Sequence, residues 1–233
     1  MSQAVWRSAG RSAQGRKRTR NEDAFLECAQ RGCWAVADGM GGYQGGDVAS
    51  QWVVSSLASL SGQGSLDQRI EDVRRCMRTL DGQLGHADGL PGSTLVALLL
   101  EGRRAACIWA GDSRCYLWRG RRLYQLSRDH SLQQRLMDEQ QLSLEQAQAH
   151  PDARALTRAI GARQPLNLEV LELRTHPGDV FLLCSDGLYQ GLSYSELGRA
   201  MALGTPRQVL DRLFRDVLRG AAQDDCTAVV VQP

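Results

Sequence analysis

The sequence predicts an α+β protein, with antiparallel strands in some stretches of the chain and helices in others. Between residues 93 and 126, four predicted strands are separated by turns of one or two residues, at Gly102, Gly111 and Gly120. Turns this short connect antiparallel neighbours, because a parallel pair needs a crossover of a dozen or more residues. Helical periodicity lies outside this stretch, which argues against repeated strand–helix–strand units.

The first part of the chain combines a charged segment, two strands and a helix. Residues 7–20 carry six cations and no acid, and we expect such a run to form a solvated arm. Apolar residues predict strands at 24–28 and 32–37. Five glycines within 39–46 would let the backbone approach a ligand closely. A helix is predicted to open near Asp47, with these apolar positions at helical spacing: Val48, Trp52, Val53, Leu57 and Leu60.

The remaining elements follow from the same two periodicities. A second helix is predicted over 66–84, where apolar residues alternate by three and four and form a core-facing stripe. Residues 131–150 are polar and rich in glutamine with helical spacing, so we expect a surface excursion there. A last helix is predicted over 206–219. Strands are predicted at 93–101, 104–110, 113–119, 121–126, 168–173, 179–184 and 226–231.

Composition sets the class of protein. Of 233 residues, 42% are hydrophobic and 23% are charged, which is typical of a globular chain with a sizeable core. The net charge of +2 gives no argument for a nucleic-acid partner. Apolar runs such as 95–100 are too short to span a membrane, and Met1–Ala9 lacks the apolar core of a signal peptide. We therefore expect a cytoplasmic protein without a nucleic-acid or membrane partner.

The cysteines and lysines indicate which kinds of site the chain can form. The seven cysteines are odd in number and include no Cys-x-x-Cys pair, so we expect reduced, mostly buried thiols rather than a disulfide framework or a zinc site. Lys17 is the only lysine. Nearly every cation is therefore an arginine, which binds phosphate as a bidentate fork.

Acidic residues lie repeatedly at the ends of predicted strands. Apolar segments deliver Asp38, Asp112 and Asp186 at their exits, and two further strands start directly after the pairs 22–23 and 224–225. A single strand-end aspartate is usually a turn former, but five such places in one chain suggest a cluster. Clustered carboxylates repel one another unless cations lie between them.

The four histidines share no metal-ligand spacing, so each is expected to be a surface or capping residue. Oxygen-only ligands select hard ions such as Mg²⁺ or Mn²⁺. Two such ions can clamp a phosphoryl group for in-line attack.

With these motifs in order, the chain resembles the bacterial metal-dependent serine/threonine protein phosphatases of the PPM (type 2C) family. Seven stretches carry the resemblance across nearly the whole chain: Arg18-x-x-Asn-Glu-Asp23, Val36-Ala-Asp-Gly-Met-Gly-Gly42, Gly92-Ser-Thr-Leu95, Ala110-Gly-Asp-Ser-Arg114, Leu156-Thr-Arg-Ala-Ile-Gly161, Leu183-Cys-Ser-Asp-Gly-Leu188 and Asp224-Asp-Cys-Thr227.

The resemblance implies a four-layer α-β-β-α sandwich of two antiparallel sheets flanked by helices. It also implies two Mn²⁺ or Mg²⁺ ions and a hydroxide between them that attacks phosphoserine or phosphothreonine directly. The implied ligands are Asp38, bridging both ions, the Gly39 carbonyl on one ion, and Asp186 and Asp224 on the other. The other implied roles are Arg18 on the substrate phosphate, Glu22 and Asp23 on metal-bound waters, and Asp112 at a weaker third metal.

Four positions depart from the family pattern. Met40 stands where animal members have a histidine assigned as general acid, so the proton donor is unassigned and a metal-bound water is a candidate. Tyr43 and Asp47 stand where bacterial relatives often have histidine and glutamate. Asp225 replaces a frequent asparagine, which leaves open whether Asp224 or Asp225 reaches the metal.

Two other functions remain as alternatives. Cys115 and Arg121 have the Cys-x5-Arg spacing of cysteine-based phosphatases, although that mechanism needs a phosphate loop at a helix N-terminus. Here the span is predicted as a strand. The basic run 7–20 would suit a non-catalytic phosphoprotein-binding module, but such a module leaves the acidic cluster without a role.

We expect one catalytic domain over 1–233, with a flap or helical insert at about 129–165, acting as a monomer. Its expected partners are phosphorylated proteins and a cognate serine/threonine kinase whose action it reverses. By analogy with bacterial relatives, these partners include regulators of type VI secretion.

Overall fold

The computed structural model describes residues 6–41, 45–85, 92–162, 165–220 and 223–233. Its strands are β1 (Arg7–Ala13), β2 (Asp23–Cys28), β3 (Cys33–Met40), β4 (Gly92–Ser93), β5 (Leu95–Glu101), β6 (Arg104–Ala110), β7 (Arg114–Arg119), β8 (Arg122–Gln125), β9 (Glu169–Arg174), β10 (Val180–Cys184) and β11 (Cys226–Gln232). Its helices are α1 (Gly46–Ser59), α2 (Leu66–Gly85), α3 (Leu132–Glu139), α4 (Leu144–Gln148), α5 (Asp186–Tyr189), α6 (Tyr194–Met201) and α7 (Pro206–Arg219).

Two antiparallel sheets form the middle of the molecule. The first has the strand order β1-β11-β10-β7-β8, and the second has the order β2-β3-β5-β6-β9, with β4 paired to the end of β3. One apolar cluster lies between the sheets. A second packs α1 and α2 on the outer face of the second sheet, and a third packs α6 and α7 on the first sheet. The predicted α-β-β-α layering is confirmed.

The best-predicted helix, α7, shows how local signals set its bounds. The Thr205 hydroxyl accepts a hydrogen bond from the Gln208 amide, and Pro206 occupies the first turn, where its missing N–H costs nothing. The face of α7 that contains Leu213 and Phe214 is buried. No helix in the described residues is long and apolar enough to cross a membrane.

The prediction of a solvated arm over residues 7–20 is wrong for its first half. Arg7–Ala13 forms β1, which pairs antiparallel with β11 along its whole length. Two features let β1 pack in the sandwich. A Cβ on Gly10 would lie 2.4 Å from the Phe25 ring of β2, so only glycine allows the sheets to approach here. On the other face, the Arg11 guanidinium lies 4.6 Å from the centre of the Phe214 ring.

Three smaller predictions need correction. The predicted strand 93–101 is interrupted at Thr94, which separates β4 from β5. The apolar stripe predicted for α1 is only partly buried: Val53 and Leu57 are in the core, but Val48 and Trp52 are more than 40% exposed. Helices α5 and α6 were not predicted, because α5 is four residues long and α6 is eight, which is too short for clear periodicity.

Candidate active site

The carboxylates at the strand ends meet at one edge of the sandwich. Asp38 near the end of β3 faces Asp23 at the start of β2, as antiparallel register partners. Asp186 follows β10 and Asp224 precedes β11, and these strands are neighbours in the other sheet. Burial raises the pKa of Asp38 well above its usual range, and four nearby negative charges raise it further: Asp23, Asp186, Asp112 and Asp224. These acids therefore lie close enough for their charges to act on one another.

Like-charge crowding and burial act on the other acids as well. Burial, opposed in part by a hydrogen bond from the Ser185 hydroxyl, raises the pKa of Asp23 to about 7. Burial and then the charge of Asp186 raise the pKa of Asp112 to about 7. Burial and the charge of Asp224 raise the pKa of Asp186. Carboxylates with raised pKa values at one cleft are typical of a functional site.

Unpartnered oxygens in this cluster fit a hard cation. Among the described residues, five buried side-chain nitrogen or oxygen atoms have no hydrogen-bond partner, and three of them are Glu22 Oε1, Asp23 Oδ1 and Asp47 Oδ1. A buried polar atom without a partner costs about 1–3 kcal/mol. The donors are all oxygens, which suits Mg²⁺ or Mn²⁺. As the side chains stand, no three acidic, cysteine or histidine groups of the described chain surround a common point.

Asp224 is held by Arg18. Arg18 Nε donates to Asp224 Oδ1 at 2.6 Å, and Nη2 donates to Oδ2 at 2.9 Å. The Nη1 atom lies 3.6 Å from Glu22 Oε2. This guanidinium therefore lies at the rim of the carboxylate cluster.

Asp225 has a structural role. Its Oδ1 accepts from the Gly15 amide and its Oδ2 accepts from the Glu22 amide, both at 2.8 Å. The side chain is buried, and both of its oxygens are used. The charge of Asp224, in contrast, acts on Asp38 and Asp186.

Backbone contacts fix Asp38 and Gly39. The Asp38 amide donates to the Thr94 hydroxyl at 2.9 Å, and the Thr94 amide donates to the Asp38 carbonyl at 2.8 Å. A Cβ on Gly39 would lie 1.9 Å from the Gly46 carbonyl oxygen. The interruption between β4 and β5 therefore serves the site, since it turns Thr94 towards Asp38.

A family model described as protein phosphatase 2C matches residues 9–230. The chain belongs to this family. It is 36% identical to the serine/threonine protein phosphatase PstP of Mycobacterium tuberculosis, over 97% of this chain and 45% of PstP. It is also 33% identical to the protein phosphatase PhpP of Streptococcus pneumoniae, over 93% of both chains.

Solved structures of the family share the fold. PppA, described as a key regulatory component of T6SS in Pseudomonas aeruginosa, superposes with a TM-score of 0.88 at 38% identity, over 98% of both chains. The catalytic domain of PstP in complex with two manganese ions superposes with a TM-score of 0.86 at 33% identity, again over 98% of both chains.

This phosphatase 2C family member does not have the geometry of a cysteine phosphatase. Cys115 is fully buried between the sheets. A hydrogen bond with Cys107 and burial raise the pKa of the Cys115 thiol well above its usual range, whereas a nucleophilic thiol needs a lowered pKa. Arg121 lies on an exposed turn with a φ of 62°. The alternative based on Cys115 and Arg121 is therefore not supported.

The departures noted in the sequence have structural counterparts. Met40 is half-buried beside Asp38 and carries no titratable proton. The Asp47 carboxylate pairs with Arg20 at 3.1 Å, with its other oxygen unpartnered. Tyr43 lies outside the described residues.

Sequence reasoning missed His130. Predicted to be a surface or capping residue, it is only 8% exposed and stacks on Trp109 with ring centres 6.3 Å apart. Its Nδ1 accepts from the Gly111 amide at 3.1 Å, directly before Asp112, and its Nε2 lies 3.1 Å from Glu169 Oε1. Because Nδ1 accepts, the ring proton is on Nε2. No spacing in the sequence could signal this contact.

Proposed function

We propose that this chain is a metal-dependent protein serine/threonine phosphatase that uses two divalent cations. The observation that carries the proposal is that the Asp38 carboxyl is buried and that the charges of Asp23, Asp112, Asp186 and Asp224 all act on it, which raises its pKa, beside unpartnered oxygens of Glu22 and Asp23. Family membership and the two manganese ions of the related PstP catalytic domain support it. The cations would be Mn²⁺ or Mg²⁺, because every donor is an oxygen.

The ligand assignment follows the arrangement of the acids. We propose that Asp38 serves both ions, that the Gly39 carbonyl joins it on one, and that Asp186 and Asp224 hold the other. Glu22 and Asp23 would hold waters around the ions, and their unpartnered oxygens support this role. Asp112, whose pKa is raised by burial and by the charge of Asp186, would contribute to a weaker third ion. Bound divalent ions lower the pKa of water and neutralise phosphoryl oxygens.

Arg18 would hold the substrate phosphate. Its fork already binds the two oxygens of Asp224 side by side, and a phosphate presents the same spacing of acceptors. In this role Arg18 orients the phosphorus relative to the carboxylate cluster and contributes mainly to substrate binding. Met40 has no proton to give, so we propose that water protonates the leaving serine or threonine oxygen.

The biological setting is a further part of the proposal. Bacterial relatives are named as serine/threonine phosphatases, so we propose phosphorylated proteins as substrates and a serine/threonine kinase whose action is reversed. The likeness to PppA supports regulators of type VI secretion as partners. A single catalytic domain, a monomeric state and a cytoplasmic location remain predictions from the sequence.

One assay tests the proposed function. Phosphothreonine, phosphoserine and phosphotyrosine peptides are compared with Mn²⁺, with Mg²⁺ and with EDTA. We expect metal-dependent hydrolysis of the first two, and a loss of at least about 100-fold in kcat for Asp186→Ala, because the charge of the metal site is lost.

The matched control is Cys115→Ser, which is expected to retain activity if it folds. Hydrolysis that survives EDTA, or an Asp186→Ala protein as active as the parent, would refute the assignment.

A further inference from the structure

A cation-lined cavity adjoins the proposed phosphate site. It lies on the outer side of Arg18, between the loop before β2, the end of α7 and the insert 129–165. Its wall includes three cations, one acid and two amides: Lys17, Arg18, Arg154, Asp224, Gln190 and Gln223. The cavity is open to solvent and continuous with the carboxylate cluster through Arg18 and Asp224.

Positive charge exceeds negative charge in this cavity. Among the described residues of its wall, Asp224 is the only acid, and Arg18 pairs with both of the Asp224 oxygens. Lys17 Nζ donates to Gln223 Oε1 at 2.8 Å, a neutral partner that leaves its charge unbalanced. Within the described residues, Arg154 has neither a hydrogen bond nor an ion pair. Two cations in one cavity, neither paired with an acid, favour an anionic ligand.

The backbone around Arg154 is held firmly while its side chain stays exposed. The Gln133 amide donates to the Ala153 carbonyl, and the Leu132 amide donates to the Ala155 carbonyl, both at 2.8 Å. Ala153 is buried between these contacts. A pinned backbone on both sides lowers the entropy cost of placing the guanidinium against a ligand.

Arg154 also faces the reacting centre. It lines both the cation-lined cavity and a second cavity that contains Asp112 and Asp129, so it stands at the boundary between them. The positive charge of Arg154 opposes the rise in the pKa of Asp186 more strongly than that of Arg18 does. A ligand bound at Arg154 would therefore lie next to the phosphate on Arg18.

We propose that Lys17 and Arg154 form a second anion subsite, which receives a carboxylate or phosphate side chain close in sequence to the phosphoresidue being hydrolysed. The inference rests on the proposed function, because the neighbouring phosphate defines the substrate's position. The favoured substrates are phosphopeptides that carry an acidic residue or a second phosphoresidue near the first. Charge-assisted contacts of this kind bind more strongly than neutral ones.

The test compares peptides that differ at one flanking position. Phosphothreonine peptides carry Glu, phosphoserine, Gln or Lys at each nearby position in turn, and kcat and KM are measured with saturating Mn²⁺. We expect the best Glu or phosphoserine position to improve kcat/KM about 5- to 10-fold over Gln, mainly through KM. The Lys peptide should be the poorest substrate, and added salt should reduce the preference.

Charge-neutral variants locate the subsite. Lys17→Gln and Arg154→Gln should each weaken the Glu-over-Gln ratio, and the double variant should bring it within about twofold of unity, since two charge contacts are removed. The matched control is Arg215→Gln, an exposed cation of α7, which should keep the full ratio. A parent enzyme without a preference, or a ratio that survives in the double variant, would overturn the subsite.

A binding measurement separates this inference from the proposed function. The Asp186→Ala protein is titrated with the same labelled peptides, and the Glu and phosphoserine peptides should bind more tightly than the Gln peptide. This preference should vanish when Lys17→Gln and Arg154→Gln are added. If the parent hydrolyses no peptide but the preference persists, the phosphatase assignment fails and the anion subsite stands. Equal binding of all peptides overturns the subsite alone.

Discussion

A buried guanidinium is hydrogen-bonded within the chain at one end of β3, whereas carboxyls are crowded or unpartnered at the other. At its first residue, the buried Arg69 guanidinium donates to the carbonyls of Arg31, Gly32 and Leu100, at 2.7, 2.9 and 2.9 Å. Every one of these contacts is made within the chain. At its last residues, Asp38 is crowded by four other acids, and nearby carboxylate oxygens have no partner.

The Arg69 contacts stabilise the fold without any ligand, whereas the acids around Asp38 need a bound cation or proton to balance their charge. A satisfied buried network supports the native state, whereas crowded acids with raised pKa values destabilise it unless protons or cations bind. The sandwich therefore tolerates strain at one end because its other end and its core are well paired. Functional sites commonly carry such a local cost in stability.

The largest expected effect is on the pH dependence of stability without metal. The folded chain holds protons on Asp23 and Asp112 up to about pH 7, whereas the unfolded chain releases them near their ordinary pKa of about 4. The stability that these two protonated carboxyls contribute is therefore full below about pH 4 and is lost as the pH rises to about 7. The raised pKa costs about 4 kcal/mol for each of the two carboxyls, so urea unfolding in EDTA should show a loss of about 8 kcal/mol across this window.

Added Mn²⁺ should remove most of this loss, because it balances the carboxylates. The variant Asp38→Asn should also show a shallower loss than the parent. If the stability of the metal-free protein rises over the same pH range, the carboxylates around Asp38 do not destabilise the fold as described.

The next effect is a loss of stability at the start of β3, where Arg69 is hydrogen-bonded to three carbonyls. Arg69→Met removes the guanidinium from these carbonyls, of which the Gly32 carbonyl keeps the Leu100 amide as a donor. It should lower the free energy of unfolding by about 3 kcal/mol, measured in urea with Mn²⁺. Phosphatase activity of the folded fraction should stay unchanged, since Arg69 lies at the far end of β3. The control is Arg74→Met on the same helix, which removes an exposed pair with Glu71 and should cost less than about 1 kcal/mol. Equal losses in both variants would show that the network adds nothing.

The smallest effect lies at His130, a satisfied side chain next to the unsatisfied cluster. Asparagine places an acceptor near the position of Nδ1 and can keep the contact with the Gly111 amide, whereas glutamine reaches the position of Nε2 and loses it. We expect His130→Gln to lower kcat/KM about tenfold and to raise the Mn²⁺ requirement. His130→Asn should stay within about threefold of the parent. A reversed order of the two variants would exclude a role through Gly111.

Sequence reasoning succeeded where one segment contains its own signal. The run from Pro206 to Arg219 predicts α7 in full, because the cap, the proline and the apolar stripe are all local. Asp38 and Asp186 could be singled out because each follows an apolar strand. That these strands end at the same edge of the sandwich came from the family resemblance, since periodicity does not show how sheets stack.

Three of the failures share one cause, which is contact between segments that are separated in the sequence. The charges of Arg7 and Arg11 indicate a solvated arm, and only the pairing of β1 with β11 turns them into an edge strand. The choice between Asp224 and Asp225 depends on amides some 200 residues earlier in the chain, as the separations of 210 and 203 residues show. His130 is likewise defined by Gly111, a contact that no periodicity encodes.

The pairing of β1 with β11 affects how the chain folds during its synthesis. Synthesis runs from the N-terminus, and domains begin to fold as they emerge. The edge strand β1 must wait for β11, which lies between β1 and β10, and the loop holding Arg18 is tied down by Asp225 just before β11. A nascent chain therefore cannot fix the loop that holds Arg18 until Asp225 and β11, some 200 residues later in the sequence, have left the ribosome.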